Sequence, residues 1–471
     1  MALEGRALLS NFMVTSTADD GSANTLRWAI NQANASNGND TIDFSSKFNA
    51  PQTITLTGGP LALTDPATTT ITGPSASLLT VSGGGASRVF DIQGGAAALS
   101  GLTISGGVAA DNGGGVFVSD HGNLAIDRCV ISGNTAGTSG GGAATNCGVV
   151  TLTSSVVSGN TAGRNGGGIY TAVAEYSLHN GRCFGDVTAV QSIVSGNTTT
   201  TGNGAGIYMF KGYLAADHVS VDSNTAQAGS AGGIFTFGVV TLAATSVSGN
   251  TSHGNGGGLN SVLTSVYDST LANNTSTAGQ GGALYTTNYF RFINTTVNGN
   301  AAMTGGAAST LDAVITASTI SGNHATDLSS GGFWLPATAS HMAAYSSIIT
   351  GNDGNDIAAA VPVPITAYSS GNIIGHVTNV TPPAGTLNCD PKLGALANNG
   401  GPTKTMALGS GSCAIDAAVP TPSVYPSDQR GPAFARRIGN ASDIGAFEVQ
   451  TAGERIFYDG FETGTGPTFF K

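Results

Sequence analysis

The feature that most constrains this chain is a short phrase that recurs along most of its length. Successive copies lie 23 to 37 residues apart. A unit of that length cannot bury an apolar face alone, so the repeats must stack on one another as a solenoid. The phrase takes forms such as SVVSGNTA at 155–162, and its Asn recurs at positions 134, 160, 197, 224, 250, 274, 300, 323 and 352.

A glycine-rich phrase runs in step with the first. Examples are GGGIYT at 166–171 and GGALYT at 281–286. Glycine triplets argue against helical repeats, because glycine weakens a helix interior. In the SVVSGN phrase, Val and Ile would fill the interior, Gly would adopt a positive φ at a corner, and Asn would form a ladder between coils. The sequence therefore predicts an all-β parallel solenoid of roughly 12 coils.

The rhythm of the two phrases resembles the right-handed parallel β-helix repeats of polymorphic outer-membrane proteins and pectate-lyase-like folds. The resemblance covers roughly residues 51–375. It implies a right-handed parallel β-helix over that range. Residues 1–50 would then be an N-terminal segment and cap, and residues 376–471 an irregular tail packing on the last coils.

The segment 14–44 has a different pattern. A short helix is predicted in TLRWAINQAN, with Asn24 as its N-cap. Such a helix would cover the open end of the solenoid. The segment resembles the N-terminal cap of bacterial surface β-helix proteins, with Trp28 in place of an acidic residue. The apolar stripe of the helix would consist of Leu26, Ala29, Ile30 and Ala33.

The tail carries four motifs in a fixed order. Together they resemble the C-terminal region of choice-of-anchor proteins, which are bacterial surface or secreted β-helix proteins. The resemblance implies export but no established chemistry. We expect the Asp, Arg and Glu side chains of the motifs to tie the last coil to the tail, with catalysis as the alternative. The motifs are DPKLGALANNGGPTKTMAL (390–408), SCAIDAA (412–418), DQRG (428–431) and DIGAFE (443–448).

Charge bears on the class of partner, and cysteine content bears on the compartment in which the protein works. The chain has 16 basic and 27 acidic residues and no basic run, so a nucleic-acid partner is not expected. Cys389 and Cys413 lie close enough in the tail to form a disulfide, whereas the pairing of Cys129, Cys147 and Cys183 stays open. Disulfides imply an oxidising compartment, so we expect a secreted or cell-surface protein. We also expect the protein to be a monomer.

Neither end of the chain shows a membrane signal. No stretch approaches the ~20 apolar residues of a membrane helix. The first 12 residues lack the charged and apolar segments of a signal peptide. We therefore expect no transmembrane segment, and a signal peptide is not present in this chain.

The spacing between repeats is longer than elsewhere at one place, between Asn160 and Asn197. The extra segment falls within 172–190 and is rich in ionisable residues. Insertions in a solenoid become loops, often on the binding face. The acid–base hypothesis pairs His179 with Glu175 or Asp186, with Arg182 at a ligand-facing rim. The alternative is a solvated polar loop.

Aromatic residues follow the glycine-rich phrase in five repeats. If the repeats are in register, these residues form a ladder. An exposed ladder would bind sugar rings through their flat faces, whereas the alternative is a buried stack within the coil. Lys211 and Arg291 border the aromatic residues and could meet an acidic glycan. The predicted ligand-binding residues are Tyr170, Arg182, Tyr208, Lys211, Tyr213, Tyr285 and Arg291.

Metal chemistry has weak support. GNDGNDIAA at 351–359 resembles one turn of a calcium-binding nonapeptide repeat, with Asp353, Asn355 and Asp356 as oxygen ligands. Such repeats act in series and this is one copy, so an ordinary turn is preferred. We expect no metal and no cofactor.

Two functions remain open. The preferred one is non-catalytic adhesion or binding to an extracellular polysaccharide or cell-surface glycan. The alternative is a polysaccharide lyase or glycoside hydrolase that uses the face near the 172–190 insertion. Enzyme activity is thus left undecided, with the balance against it, because no catalytic fingerprint is present.

Overall fold

The computed structural model is an all-β parallel β-helix of about 13 turns, close to the roughly 12 expected, and its described residues include one α-helix. The predicted fold class is confirmed. The chain divides into a first unit (Met1–Thr241, Val247–Val262 and Ser276–Ala278) and a second unit (Leu242–Ser246, Leu263–Thr275 and Gly279–Lys471). The structure describes residues 10–36, 38–93, 95–119, 122–172, 185–327, 329–364, 371–419 and 425–450.

One turn of the first unit shows the plan of the coil. Val116–Ser119 and Leu124–Asp127 form face 1, Val130–Ser132 forms face 2, and Thr135–Ala136 forms face 3. Each strand pairs in parallel with the equivalent strand one turn later, as in the Val130↔Val156 register. Side chains alternate between the interior and the outside, because successive residues of a strand point to opposite faces.

The first unit contributes strands to all three faces. Face 1 comprises Ser10–Val14, Asp40–Phe44, Leu61–Leu63, Thr68–Thr72, Phe90–Gln93, Ala96–Ser100, Val116–Ser119, Leu124–Asp127, Ala143–Asn146, Val150–Thr153, Ile169–Ala172, Val187–Val190, Ile207–Met209, Tyr213–Asp217 and Ile234–Thr236. Face 2 comprises Gln52–Thr55, Leu79–Ser82, Thr103–Ser105, Val130–Ser132, Val156–Ser158, Ile193–Ser195 and Ser220–Asp222. Face 3 comprises Val108–Ala109, Thr135–Ala136, Thr161–Ala162, Thr198–Thr199, Thr225–Ala226 and Thr251–Ser252.

The second unit likewise has three faces, and its tail contains an antiparallel hairpin. Its face 1 comprises Leu284–Ile293, Ala308–Ser309, Asp312–Thr316, Phe333–Leu335, His341–Tyr345, Ile357–Pro364 and Val377–Thr381. Its face 2 comprises Thr270–Ala272, Thr296–Asn298, Thr319–Ser321, Ile348–Ile349 and Ile373–Ile374, and its face 3 Ala301–Ala302 and His324–Ala325. The hairpin strands are Leu393–Ala397 and Thr405–Leu408. Strands that include residues of both units are Val239–Ala243, Ser246–Ser248, Leu259–Tyr267 and Thr275–Ser276.

The glycines of the two phrases have different structural roles. Gly159, in the SGN corner, has a φ of 62°, a value that favours glycine over any residue with a Cβ. Gly142, in the glycine triplet, permits close stacking, since a Cβ there would lie 2.7 Å from the carbonyl oxygen of Gly168 in the next turn. One phrase therefore sets the corner, and the other lets successive coils approach.

The recurrent asparagines form buried ladders inside each unit. In the first unit, Asn197 Nδ2 donates to Asn224 Oδ1 at 2.9 Å, and Asn224 Nδ2 donates to Asn250 Oδ1 at 2.9 Å. The same acceptor oxygen also receives a backbone N–H, as Asn224 Oδ1 does from Asn197. The predicted ladder is therefore internal. The members are Asn134, Asn160, Asn197, Asn224 and Asn250 in the first unit, and Asn274, Asn300, Asn323 and Asn352 in the second.

The α-helix spans Leu26–Ala35, and the predicted stripe of Leu26, Ala29, Ile30 and Ala33 is buried. Its N-cap is Thr25 rather than Asn24, because the Thr25 hydroxyl accepts the N–H of Trp28 at 3.2 Å. Asn24 instead has a φ of 65° in the preceding turn. The coil also begins before residue 51, since Ser10–Val14 already pairs with Asp40–Phe44.

An ion pair fastens this N-terminal segment. Arg27 Nε lies 2.9 Å from Asp19 Oδ1, and Arg27 Nη2 donates to the Gly59 carbonyl. Burial alone would raise the pKa of Asp19, but hydrogen bonds from Arg27 and from backbone N–H groups hold it below its ordinary value. The carboxylate therefore stays charged and holds the helix against the following loop.

The tail packs along face 2 of the second unit. Thr296 Oγ1 donates to Gln429 Oε1 at 2.6 Å, and Gln429 Nε2 donates to Thr270 Oγ1 at 3.0 Å. The Ala446 N–H donates to Thr319 Oγ1 at 3.0 Å. The DQRG and DIGAFE motifs thus contact several successive turns of that unit, which supports the expected structural role.

A charged cluster organises the motifs of the tail. Arg430 pairs with Asp428 at 2.6 Å, and its guanidinium carbon lies 4.0 and 3.8 Å from the ring centroids of Phe434 and Phe447. Glu448 is fully buried and accepts the backbone N–H groups of Ile438 and Asp443. Burial raises the pKa of Glu448 to about 7.

The raised pKa of Glu448 predicts pH-dependent stability. The folded state holds this proton more tightly than the unfolded chain, so its stabilising effect is complete below pH 4.5 and is lost as the pH rises toward 7. The free energy of unfolding from urea denaturation at pH 5, 6, 7 and 8 should therefore fall more steeply with pH for the parent than for Glu448→Gln, by at most about 1.4 kcal/mol per pH unit. Gln forfeits one backbone hydrogen bond, so the slope and not the absolute stability is the readout. Equal slopes would contradict the prediction.

Candidate functional site

In the first unit, the aromatic residues after the glycine-rich phrase occupy one outward column on face 1: Phe117, Tyr170, Tyr208 and Phe235. The strand registers show that Tyr170, Tyr208 and Phe235 are consecutive members. Ala144 separates Phe117 from Tyr170, and Asn260 follows Phe235. The predicted ladder is therefore continuous over three turns only.

The three rings form a stack that is largely covered. The Tyr170 and Tyr208 ring centroids are 5.4 Å apart, and those of Tyr208 and Phe235 are 5.3 Å apart with the planes 1° from parallel. Tyr208 and Phe235 are only 6% and 7% exposed. Burial raises the pKa of Tyr208 to about 12, with a smaller contribution from Tyr170. Tyr208 and Phe235 therefore lie outside the coil and yet are covered, so neither an exposed ladder nor a stack within the coil describes them.

The accessible aromatic surface lies at the adjoining corner of face 1. The Phe237 ring meets Phe235 edge-on at 5.1 Å and Phe210 at 5.7 Å. Phe237 is 51% exposed, and Tyr213 is 43% exposed. Lys211 Nζ lies 5.7 Å from the Phe210 ring centroid. We call Phe210, Lys211, Tyr213 and Phe237 the aromatic platform.

Short connectors between the paired strands of face 1 place the platform. One connector links Ile207–Met209 to Tyr213–Asp217, and the next follows Ile234–Thr236. They stack closely, since a Cβ at Gly238 would lie 2.0 Å from the Gly212 carbonyl oxygen. Phe210 and Phe237 are thereby held above the buried stack.

Asp186, a predicted acid or base, instead fixes this corner. Its Oδ1 accepts the backbone N–H of Tyr213 at 2.8 Å. A Cβ at Gly212 would lie 2.8 Å from the same oxygen, and Gly212 has a φ of 130°, so a side chain there would crowd the carboxylate and strain the backbone. Glu175, His179 and Arg182 lie outside the described residues, and the acid–base hypothesis for that segment stays a prediction.

Tyr285 and Arg291 belong to the long strand Leu284–Ile293 of the second unit. Tyr285 lines a cleft of about 220 Å³. The Arg291 guanidinium carbon lies 5.7 Å from the Tyr267 ring centroid. Arg291 therefore lies near the Tyr267 ring as well as near Tyr289, whose pKa is raised by burial and lowered in part by the charge of Arg291.

A cluster of three polar side chains, one on each of three successive turns of this face, was not predicted from the sequence. Tyr289, Asp312 and His341 are Cα partners, and His341 Nδ1 lies 3.0 Å from Asp312 Oδ1. Burial raises the pKa of Tyr289, which keeps its hydroxyl protonated. Only the strand register brings these residues together, because no shared motif marks them.

The three weak metal candidates are engaged within the protein. Asp356 Oδ1 accepts from Asn352 Nδ2 at 2.8 Å and so terminates the second Asn ladder. Asp353 contacts His324 Nδ1, and Asn355 Nδ2 donates to the Ser329 carbonyl. Among the described residues, no group of three His, Cys, Asp or Glu side chains is arranged to hold a metal ion.

The cysteines differ in environment. Cys389 and Cys413 form a disulfide with a Cα–Cα distance of 6.5 Å, as the sequence predicts. Cys147 is also disulfide-bonded. Cys129 is a buried free thiol, and burial raises its pKa to about 12, so it is unreactive. Cys183 lies outside the described residues.

Comparisons with known proteins assign no family to this chain. No known protein family matches the chain, and no curated protein matches it. Among solved structures, it is similar to pectate lyase Pel9A, with 12% identity and a TM-score of 0.38 over 95% of this chain and 98% of that one. At this level of similarity, the match says nothing about the activity of this chain.

Within the described ranges, no helix is both long enough and apolar enough to cross a bilayer.

Proposed function

We propose that this chain is a secreted or cell-surface β-helix protein that binds glycans without cleaving them. The aromatic platform of the first unit is its binding surface. The observation that carries this proposal is the exposure of Phe237 and Tyr213, the two aromatic residues among the exposed large apolar side chains of the described chain. Aromatic rings offer flat faces to the C–H groups of a sugar, while the surrounding polar groups orient it.

The platform is supported from beneath. Phe237 rests edge-on against Phe235, which is stacked on Tyr208. Asp186 holds the backbone at Tyr213. A surface that is ordered before binding loses little conformational entropy when a ligand arrives.

Lys211 adds a preference for acidic sugars. Its ammonium lies over the Phe210 ring, beside the exposed aromatic groups. The chain carries a net charge of −11, so a local cation is needed to offset repulsion of a polyanion. A uronate-containing polysaccharide is therefore the expected ligand class at this surface.

The disulfides support an extracellular location. Cys389 and Cys413 are bridged, and Cys147 is also disulfide-bonded. Structural disulfides persist in oxidising compartments and are rare in the cytosol. An extracellular protein would also meet polysaccharides directly.

Phe237→Ala and Tyr213→Ala should each weaken polysaccharide binding about 2- to 12-fold, as expected for the loss of one aromatic contact worth ~0.5–1.5 kcal/mol. Affinity electrophoresis through gels containing acidic or neutral polysaccharides measures this directly. Val108→Ala is the control, because Val108 is an exposed apolar residue on face 3. Unchanged migration of both platform variants would contradict the assignment of this surface.

The same panel tests the alternative function. Each polysaccharide is incubated with the protein and assayed for unsaturated ends and new reducing ends. Retention in the gel without products is expected. Release of products would overturn the non-catalytic proposal and favour a lyase or hydrolase.

Lys211→Ala should weaken retention by acidic polysaccharides several-fold and leave retention by neutral ones unchanged, because only the charged interaction is lost. The difference should shrink as salt rises from 50 to 500 mM, since screening reduces the contribution of an exposed charge. An equal effect on both polysaccharide classes would contradict the electrostatic role of Lys211.

A further inference from the structure

The cleft on face 1 of the second unit arises from connectors of unequal length. Leu284–Ile293 is an unbroken strand. In the next turn, Thr310 and Leu311 separate Ala308–Ser309 from Asp312–Thr316. In the turn after that, residues 336–340 separate the two strands. The longer connector forms a wall on one side of the cleft of about 220 Å³, which is lined by residues of all three turns.

Backbone hydrogen bonds fix the wall. The Ala339 N–H donates to the Pro336 carbonyl at 2.8 Å, and the Ser340 N–H donates to the Leu311 carbonyl at 3.0 Å. The Thr310 hydroxyl donates to the Asp312 carbonyl at 2.9 Å. The shape of the cleft is therefore set by the fold before a ligand enters.

The lining combines one aromatic ring with hydroxyl and amide groups. Ser309 Oγ donates to Gln280 Oε1 at 3.0 Å, so this pair is held across two turns. The residues that line the cleft are uncharged: Gln280, Tyr285, Thr286, Thr287, Ser309, Thr310, Leu311, Pro336 and Thr338. An aromatic face surrounded by neutral donors and acceptors suits a hydroxyl-rich, uncharged ring.

Charge and size narrow the ligand further. Asp312 follows directly after the lining residue Leu311, and its carboxylate is hydrogen-bonded to His341. A carboxylate at the edge of the cleft disfavours an acidic sugar. The volume is below the ~300–1,000 Å³ of sites for drug-sized ligands, so the cleft suits a single ring.

We infer that this cleft binds one uncharged pyranose unit, with Tyr285 as the stacking face. The site is separate from the aromatic platform and differs from it in ligand class. The platform presents Lys211 to an acidic glycan, whereas the cleft selects neutral sugars.

Saturation-transfer NMR with single sugars tests the inference. The probes are the methyl glycosides of glucose, galactose, mannose and N-acetylglucosamine, with glucuronate and galacturonate as acidic comparators. Thr338→Trp, made on a Phe237→Ala/Tyr213→Ala background that removes the platform's contribution, should fill the cleft from its exposed rim and remove most of the signal. Ala337→Trp adds the same side chain at the neighbouring position, which does not line the cleft, and should keep the signal.

The outcomes separate this site from the platform. At least one neutral glycoside should give a signal with the parent and with Phe237→Ala, which alters only the first unit. Absence of any neutral signal with the parent, equal loss in both Trp variants, or preferential binding of the uronates would overturn the inference. Circular dichroism and melting curves confirm that each variant is folded. Retention of polysaccharide by the platform in the same preparation would show that only the cleft assignment had failed.

Discussion

Asn197→Ala should lower the free energy of unfolding of the first unit by about 3–5 kcal/mol, because each buried polar group left without a partner costs about 1–3 kcal/mol. Asn197 Oδ1 accepts both the backbone N–H and the side-chain Nδ2 of Asn160, each at 3.0 Å. Asn197 Nδ2 donates to the Val157 carbonyl and to Asn224 Oδ1, each at 2.9 Å. Truncation therefore removes four hydrogen bonds at a fully buried position.

Asn197→Asp tests which half of the amide matters. It keeps the acceptor for Asn160 but loses both donors and buries a charge, so we expect a loss of stability at least as large. The control is Asn288→Ala, which removes the same atoms from an exposed residue of the second unit. Urea unfolding and amide exchange over residues 155–200 report the change. A loss below 1 kcal/mol for Asn197→Ala would show that the ladder contributes little.

The Asn ladder also shows why the fold was predictable from the sequence. Its residues repeat with the coil, so their spacing encodes the stacking register. A second ladder was missed, although Ser155 Oγ accepts the N–H of Cys129 and Ser192 Oγ accepts the N–H of Ser155. Both Cys and Ser occur in this column, so no constant residue type reveals it. The stacking register of successive coils can be inferred from the sequence only where the same residue type recurs in each coil.

The candidate sites were less predictable because connectors decide what remains exposed. Alternation along the strands did not decide whether Tyr208 and Phe235 lie inside or outside the coil. The strand register places them on the outside, where Phe210 and Phe237 pack against them. The cleft depends on a connector that lengthens from one turn to the next, which periodicity does not encode. Tyr289, Asp312 and His341 meet only because strands far apart in sequence are in register.

Asp428→Ala should release the C-terminal tail from the second unit while the coil stays folded. Asp428 is fully buried; its Oδ1 accepts the N–H of Arg430 at 2.8 Å, and its Oδ2 accepts the N–H of Glu448 at 2.8 Å. It also pairs with the Arg430 guanidinium, which lies between two aromatic rings. Removing one partner of a buried ion pair costs about 3–5 kcal/mol, because the other charge is left uncompensated.

Amide exchange over residues 425–450 measures the release of the tail. Protection there should fall by orders of magnitude in Asp428→Ala and stay unchanged in Asp217→Ala, whose carboxylate is 54% exposed. Protection of the strands at 296–298 and 319–321 should fall less, because their ladder bonds within the coil do not involve the tail. If those strands lost protection together with the tail, the tail would be part of the cooperative core of the second unit rather than a separately docked element.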